Sequence, residues 1–268
     1  MTTPPPPTPY TTPPPPQTFA LIAFPTPSIL LVTFNRPRIL NAIDSAGNHE
    51  LDALFAWYDT QPALRCAVVT GAGRAFCCGA DLREWNARNA AFASGRPHPS
   101  PHARMFPATG FAALSRRGGK KPVVGAVNGL AFGGGMEIVA NLDLVVAAAS
   151  AVFSLPEADR GVVAMEGSLP RLARTLGRQR AMEMALTARR VGAAEAREWG
   201  FVNEVAEDCG EEVEVMERPV VRKALDAENA TRIIKEVWEA RLNGGENLRE
   251  GIRAFAEKRQ PRWLDSRL

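Results

Sequence analysis

The sequence holds few of the residues that bind metal ions or form disulfides, with three histidines and four cysteines among 268 residues. His98 and His102 are four positions apart, but the prolines around them exclude the helix that would bring both to one face. The cysteines lack the spacing of a disulfide framework or of a zinc site; they are Cys66, Cys77, Cys78 and Cys209. We therefore expect no bound metal ion and a reducing compartment.

Long apolar runs, a basic N-terminal segment and a strong net charge are also missing. Residues 142–153 form the most apolar run, which is too short to span a membrane and contains Asp143. No lysine or arginine precedes Arg36, which argues against a secretory or mitochondrial presequence. The net charge of +3 does not indicate a nucleic-acid partner. Basic residues cluster at 116–121 and 171–180, either as solvated faces or as contacts to an anionic ligand.

The chain is long enough for one large domain with a substantial core and a helical appendage. Its first 18 residues contain nine of the 22 prolines and little that could be buried, so we expect a disordered tail. We assign residues 19–205 to the core and 206–263 to a C-terminal helical region. Residues 264–268 form a terminal tail.

Apolar patterning predicts an α/β domain. Strands are expected at 28–34, 66–70, 123–127 and 144–148, and Asp44 is placed to cap a helix at its N-terminus. Strands that alternate with helices imply right-handed crossovers. Amphipathic helices are expected at 230–242 and 247–258, whereas the prolines and glycines of 93–110 indicate a functional or disordered loop.

Two short segments carry the strongest chemical signal. Gly133 and Gly134 open a helix-forming stretch that contains Glu137, and Glu157 follows twenty positions after Glu137. Glycines before a helix expose backbone N–H groups that stabilise negative charge developing on a substrate. Two carboxylates beside such a site are suited to moving protons next to an activated carbonyl.

Further segments extend this pattern until it strongly resembles the enoyl-CoA hydratase/isomerase, or crotonase, superfamily. The resemblance covers roughly residues 19–263 and is carried by residues 34–42, 70–82, 121–129, 133–137, 155–157, 186–190, 200–203, 250–255 and 257–263. It implies a spiral of β-β-α units with a C-terminal helical trimerisation region. It also implies a homotrimer or a dimer of trimers, and acyl-CoA thioester substrates with no separate cofactor.

The resemblance assigns roles to individual residues. The backbone N–H groups of Ala80 and Gly134 would bind the thioester oxygen. Glu137 would activate water, and Glu157 would deliver the proton to the α-carbon. The presence of both carboxylates favours hydration of trans-2-enoyl-CoA to 3-hydroxyacyl-CoA. Substrate contacts are expected at Arg38, Ala42, Gly79, Asp81, Leu82 and Gly133, with Arg38 the candidate for a phosphate or the adenine of coenzyme A.

Alternatives remain open at this point. A Δ3,Δ2-enoyl-CoA isomerase would need only Glu157, and other members of the superfamily bind RNA or are catalytically silent. Acyl-chain length and the pathway, fatty acid β-oxidation or secondary metabolism, are undecided. The run from Ala164 to Arg171 departs from the family pattern, in which a glycine pair precedes Leu-Pro-Arg, and Glu166 could enter the pocket as a third carboxylate.

The sequence ends in Ser266, Arg267 and Leu268, which resemble the Ser-Lys-Leu peroxisomal address. For a candidate acyl-CoA enzyme, this ending predicts a peroxisomal location and binding by the peroxisomal import receptor.

Overall fold

Strands and helices alternate along the chain. The computed structural model describes residues 10–94, 106–209, 214–225, 250, 253–254 and 257–260. The strands are β1 Ala20–Thr26, β2 Ile29–Phe34, β3 Cys66–Gly71, β4 Ala75–Cys77, β5 Val123–Val127, β6 Leu130–Phe132, β7 Leu144–Ala148, β8 Val152–Ser154, β9 Val191–Gly192 and β10 Glu204–Ala206. The α-helices are α1 Ser45–Thr60, α2 Leu82–Ala93, α3 Gly134–Val139, α4 Ser168–Leu176, α5 Arg178–Thr187, α6 Ala193–Trp199 and α7 Pro219–Leu225.

The strands form two sheets, and successive strands are shared between them. The larger sheet has the order β1-β2-β3-β5-β7-β10 and the smaller β4-β6-β8-β9. Three consecutive strand pairs, β3/β4, β5/β6 and β7/β8, each place the first strand in the larger sheet and the second in the smaller. A helix follows each pair. The expected α/β class and the spiral of β-β-α units are therefore confirmed.

The pattern of burial explains why the long strands were visible in the sequence. All six residues of β2 and all six of β3 are buried, as expected for parallel strands covered on both faces. The predicted strands at 123–127 and 144–148 coincide with β5 and β7. Asp44 caps α1 as expected, because its Oδ1 accepts a hydrogen bond from the Gly47 amide at 2.8 Å.

The N-terminal segment differs from the expected tail over residues 10–18. Tyr10 packs against Phe24 and Trp57, with ring centroids 4.6 and 5.8 Å apart. The Trp57 indole N–H donates to the carbonyl of Thr12 at 3.0 Å. Trp57 on α1 offers an apolar face and a donor that needs an acceptor, and this part of the proline-rich segment supplies contacts for both.

Several expectations fall on residues that the structure does not describe. They are residues 1–9, most of the 93–110 loop, the helix at 230–242, most of the helix at 247–258 and the tail at 264–268. The trimerisation role of the C-terminal region stays a prediction. Within the part of the chain that is described, no helix has the length and apolar character needed to cross a membrane.

Candidate active site

Three adjacent strands of the smaller sheet bring the predicted site residues to one edge. β4, β6 and β8 are parallel neighbours, so their carboxyl ends lie together. The chain leaves β4 towards Ala80, β6 towards Gly134 and β8 towards Glu157. In sheets of parallel strands, ligands bind beyond the carboxyl ends of the strands. The edge formed by these three ends is therefore the candidate active site.

Two backbone N–H groups at this edge are free to meet a substrate oxygen. Gly79 has a φ of +90°, and a Cβ at this position would lie 3.1 Å from the Gly134 nitrogen, so the two segments touch. The bridge between Ile43 and Ala80 uses the amides of Ile43 and Asp81, each at 2.9 Å from its acceptor, and leaves the Ala80 amide unused. Gly134 opens α3, where an N–H has no acceptor within the helix.

Glu137 lies on the first turn of α3 and is almost fully buried, with 4% of its surface exposed. Its Oε1 accepts hydrogen bonds from the Glu166 amide at 2.9 Å and from the Ser168 hydroxyl at 2.9 Å. The Ser168 amide reaches the same oxygen at 3.4 Å. Burial, followed by the charges of Glu157 and Glu166, raises the pKa of Glu137 to about 7, while the Ser168 donors act in the opposite direction.

Glu157 approaches from the other side of the glycine turn. A Cβ on Gly133, whose φ is +55°, would lie 3.2 Å from Glu157 Oε1. The Gly133 amide donates to the Ser154 carbonyl at 3.0 Å, which ties the start of α3 to the end of β8. Burial raises the pKa of Glu157 above its usual value. Its Oε2 is buried, and none of the described residues donates a hydrogen bond to it.

The segment at 36–44 lies alongside the Gly79–Ala80 turn, which places Ala42 and Arg38 near the same edge. The Cys78 amide donates to the Leu40 carbonyl at 3.0 Å, and Ala42 is half-buried. Arg38 is exposed. Buried Asn41 holds this segment, since its side-chain amide donates to the Ala75 carbonyl at 2.7 Å. The sequence pattern gave Asn41 no separate role.

Asp81 and Leu82 begin α2 at the rim of the site. Asp81 Oδ1 accepts from the Arg83 amide at 3.0 Å, as an N-cap does, and its other oxygen lies 3.8 Å from Arg36. Leu82 is 53% exposed, which makes it available to a ligand or a neighbouring surface. Both residues are thus at the expected place, and Asp81 also has a structural role.

Glu166 and Ser168 connect the loop before α4 to the site. The Glu166 carboxylate lies 3.4 Å from Arg116 and is itself buried, while its charge contributes to the raised pKa of Glu137. Ser168 is fully buried and donates directly to Glu137. Sequence reasoning missed Ser168, although the departure from the family's glycine pair at this point was a usable signal.

Phe111 packs against the helix start and was also missed. A Cβ on Gly134 would meet two of its ring carbons at 2.7 Å. The Phe111 amide donates to Ser115 Oγ at 2.8 Å, and this hydroxyl donates to the Glu166 carbonyl at 2.6 Å. The same loop therefore supports both the oxyanion donor and the partners of Glu137.

Within the described residues, the basic cluster at 116–121 is partly internal. Arg117 pairs with Asp59 at 2.5 Å and lies over the rings of Phe55 and Tyr58. Lys121 donates to the Tyr58 carbonyl at 3.0 Å near the C-terminus of α1, a favourable place for a cation. These two side chains stabilise the fold and are not free for an anionic ligand.

Searching the described residues for metal sites gives no group of three or more His, Cys, Asp or Glu side chains that could hold an ion. The cysteines are free thiols, and burial raises the pKa of Cys66 to about 12. Thiolate chemistry at Cys66 is therefore disfavoured at neutral pH.

Comparison with known proteins places the chain in a family. Residues 26–247 match the enoyl-CoA hydratase/isomerase family. The chain is 47% identical to mevalonyl-coenzyme A hydratase of Beauveria bassiana, over 92% of this chain and 95% of that protein. It is 44% identical to the Aspergillus fumigatus protein of the same name, over 92% and 96%. The crystal structure of carnitinyl-CoA hydratase from Mycobacterium avium is 31% identical, with a TM-score of 0.65 and coverage of 93% and 100%.

The chain belongs to the enoyl-CoA hydratase/isomerase family, as the sequence resemblance indicated. It is a CoA-thioester hydratase with the crotonase fold and thus a hydro-lyase.

Proposed function

We propose that this enzyme interconverts 3-hydroxyacyl-CoA and 2-enoyl-CoA thioesters, with mevalonyl-CoA and its dehydration product as the preferred pair. The observation that carries this proposal is the pair of carboxylates, Glu137 and Glu157, on either side of the Gly133–Gly134 turn. Burial raises the pKa of both groups, so one can hold a proton near neutral pH while the other accepts one. Both directions of a hydration need such a pair.

In hydration, the N–H groups of Ala80 and Gly134 bind the thioester oxygen. Glu137 takes a proton from water as the water oxygen bonds to C3, and the C2=C3 electron pair moves onto the thioester oxygen as an enolate. Protonated Glu157 then gives its proton to C2. Dehydration runs these steps in reverse: Glu157 removes the C2 proton, and Glu137 protonates the departing C3 hydroxyl. No redox step or separate cofactor is needed.

The choice of acyl group rests on the relatives and on the polarity of the site. Mevalonyl and carnitinyl groups both carry a hydroxyl on C3 and a polar substituent further along the chain. In this chain, the buried Glu166 carboxylate and Arg116 lie beside Glu137, which adds polar groups to that side of the site. We also propose Arg38, which is exposed beside the Ala80 segment, as a contact to coenzyme A.

A substrate comparison tests the proposal. Purified enzyme is given mevalonyl-CoA and 3-hydroxybutyryl-CoA, and formation of the conjugated enoyl thioester is followed. We expect kcat/KM for mevalonyl-CoA to be at least ~10-fold higher, the scale of one hydrogen bond to the distal hydroxyl. A preference for 3-hydroxybutyryl-CoA would instead indicate a general enoyl-CoA hydratase.

Glu137→Gln and Glu157→Gln are the matched variants for this assay. Each should lower turnover by ~10²-fold or more, because each removes a positioned acid or base. A 3-enoyl-CoA substrate is included as well. If Glu137→Gln keeps near-normal hydration while 3-enoyl-CoA is isomerised, the two-carboxylate mechanism is wrong and the enzyme is an isomerase that uses Glu157.

A further inference from the structure

Ser168 makes the closest side-chain contact to Glu137 and has no place in the reaction steps above. It is the first residue of α4 and is fully buried, so it is shielded from substrate. Its hydroxyl donates to Glu137 Oε1 at 2.9 Å. The amides of Glu166 and Ser168 reach the same oxygen. Among the described residues, all donors to Glu137 converge on Oε1, which leaves Oε2 for water or the C3 hydroxyl.

We propose that Ser168 is a positioning residue that fixes the rotamer of Glu137 and stabilises its carboxylate form. This inference rests on the proposed function, in which Glu137 alternates between base and acid. The serine hydroxyl is a feature of this chain, because the family pattern has a glycine pair where this chain has Gly167 and Ser168. Glycine would keep the backbone donors and lack the third hydrogen bond.

The other groups around Glu137 oppose ionisation or are directed elsewhere. Glu157 and Glu166 add negative charge, and the Cys77 thiol on β4 has a pKa raised by burial. Two cations lie close to this region. Arg116 donates to the Met165 carbonyl and lies beside Glu166, and Arg171 donates to the Gly167 carbonyl at 2.9 Å. The Ser168 hydroxyl is therefore the side-chain donor that counteracts the burial of Glu137.

The pH dependence of the reaction should carry this effect. Hydration and dehydration both require one proton shared by Glu137 and Glu157, so kcat/KM should be bell-shaped and governed by the pair. The reaction takes up no net proton, and the two directions must therefore share one pH profile. Because the pKa of Glu137 is raised to about 7, loss of its proton sets the basic limb. Removal of the Ser168 donor should shift that limb to higher pH.

The test compares Ser168→Ala with Ser154→Ala, a matched loss of a buried serine hydroxyl. Ser154 donates to the Ala188 carbonyl at 2.9 Å and is directed away from Glu137. Carboxyl-labelled glutamate is followed by carbon NMR in the enzyme without substrate, and the Glu137 signal is identified through Glu137→Gln. In Ser168→Ala we expect the titration midpoint of Glu137 to rise by about one pH unit, the scale of a hydrogen bond to a charged group.

The basic limb of kcat/KM should move by the same amount, whereas Ser154→Ala should leave both measurements unchanged. Ser168→Gly carries the same expectation and cannot crowd the site if the alanine variant folds poorly. An unchanged Glu137 midpoint in either Ser168 variant overturns the proposal, as does an equal shift in Ser154→Ala. The NMR titration needs no turnover, so it remains decisive even if the proposed substrate is wrong.

Discussion

At the residue scale, Glu137 couples chemistry to stability. Its carboxyl is 4% exposed, and its pKa is raised from a model-compound value of 4.5 to about 7. A carboxyl that binds its proton more tightly in the folded protein favours folding at low pH. This contribution is complete below the unfolded pKa and is lost as pH rises through the folded pKa. The group needed for proton transfer therefore destabilises the protein at neutral and alkaline pH.

We expect Glu137→Gln to become more stable relative to the wild type as pH rises from 5 to 8. The amide can keep its oxygen towards the Ser168 and Glu166 donors, and it never ionises. The gain should be on the order of 1–3 kcal/mol, since each pKa unit corresponds to about 1.4 kcal/mol. Urea unfolding at both pH values measures it.

Glu198→Gln, at an exposed position on α6, is the control and should follow the wild type at both pH values. If the stability difference between Glu137→Gln and the wild type is the same at pH 5 and pH 8, ionisation of Glu137 does not destabilise the folded protein.

Sequence reasoning identified both carboxylates because short motifs with fixed spacing surround them. The Ser168 contact was beyond its reach, because it depends on where α4 begins and on how its first turn packs onto α3. The hydrogen bond joins residues 31 positions apart in the chain. Local pattern carries no information about which oxygen of Glu137 such a donor will reach.

At the scale of elements, the turn from β6 into α3 combines an exposed amide with tight packing. Gly134 contributes the N–H, and the ring of Phe111 closes over its Cα. Any side chain at this position would press on the ring, so the effect of the lost N–H has to be separated from the effect of a clash.

Gly134→Pro and Gly134→Ala make this separation. Both add a Cβ that meets Phe111, and only proline removes the N–H; proline is otherwise tolerated at the first position of a helix. We expect turnover of Gly134→Pro to be 10²–10³-fold below that of Gly134→Ala, the typical loss for one oxyanion donor. Binding of a non-reactive acyl-CoA should be similar in both. Equal turnover of the two folded variants would exclude Gly134 as a donor to the thioester oxygen.

The long strands of the larger sheet were predictable because both faces are covered, which produces uninterrupted apolar runs such as β2 and β3. The smaller sheet was not. β4, β6 and β8 have three residues each, too few for a pattern, and they become strands only by pairing with one another. The sheet edge that gathers the site could thus be expected only from the family resemblance.

At the scale of the whole molecule, the N-terminal proline-rich segment was judged by composition alone. Composition indicates how little such a segment can bury, but it gives no weight to single anchors such as Tyr10 and Trp57. The trimeric assembly and the C-terminal address involve residues outside the described part of the chain and stay predictions.

A localisation experiment tests the address directly. A fluorescent protein is fused to the N-terminus, so that the fusion ends in Ser266, Arg267 and Leu268. We expect peroxisomal puncta, and a diffuse cytosolic signal once these three residues are deleted, because the import receptor reads an exposed C-terminal tripeptide. Activity in vitro should be equal in both forms. A diffuse signal from the intact fusion would rule out peroxisomal import and leave the enzymatic proposal standing.

The sharing of the site among β4, β6 and β8 also bears on how the enzyme folds. Pairings such as Ala75 with Leu130, and Leu130 with Val152, join distant parts of the chain, and contacts of this kind form slowly. No single turn of the spiral carries a partial version of the catalytic centre. During refolding, activity should therefore return only after the three coils have stacked in register, later than helix content, which makes turnover a sensitive reporter of completed assembly.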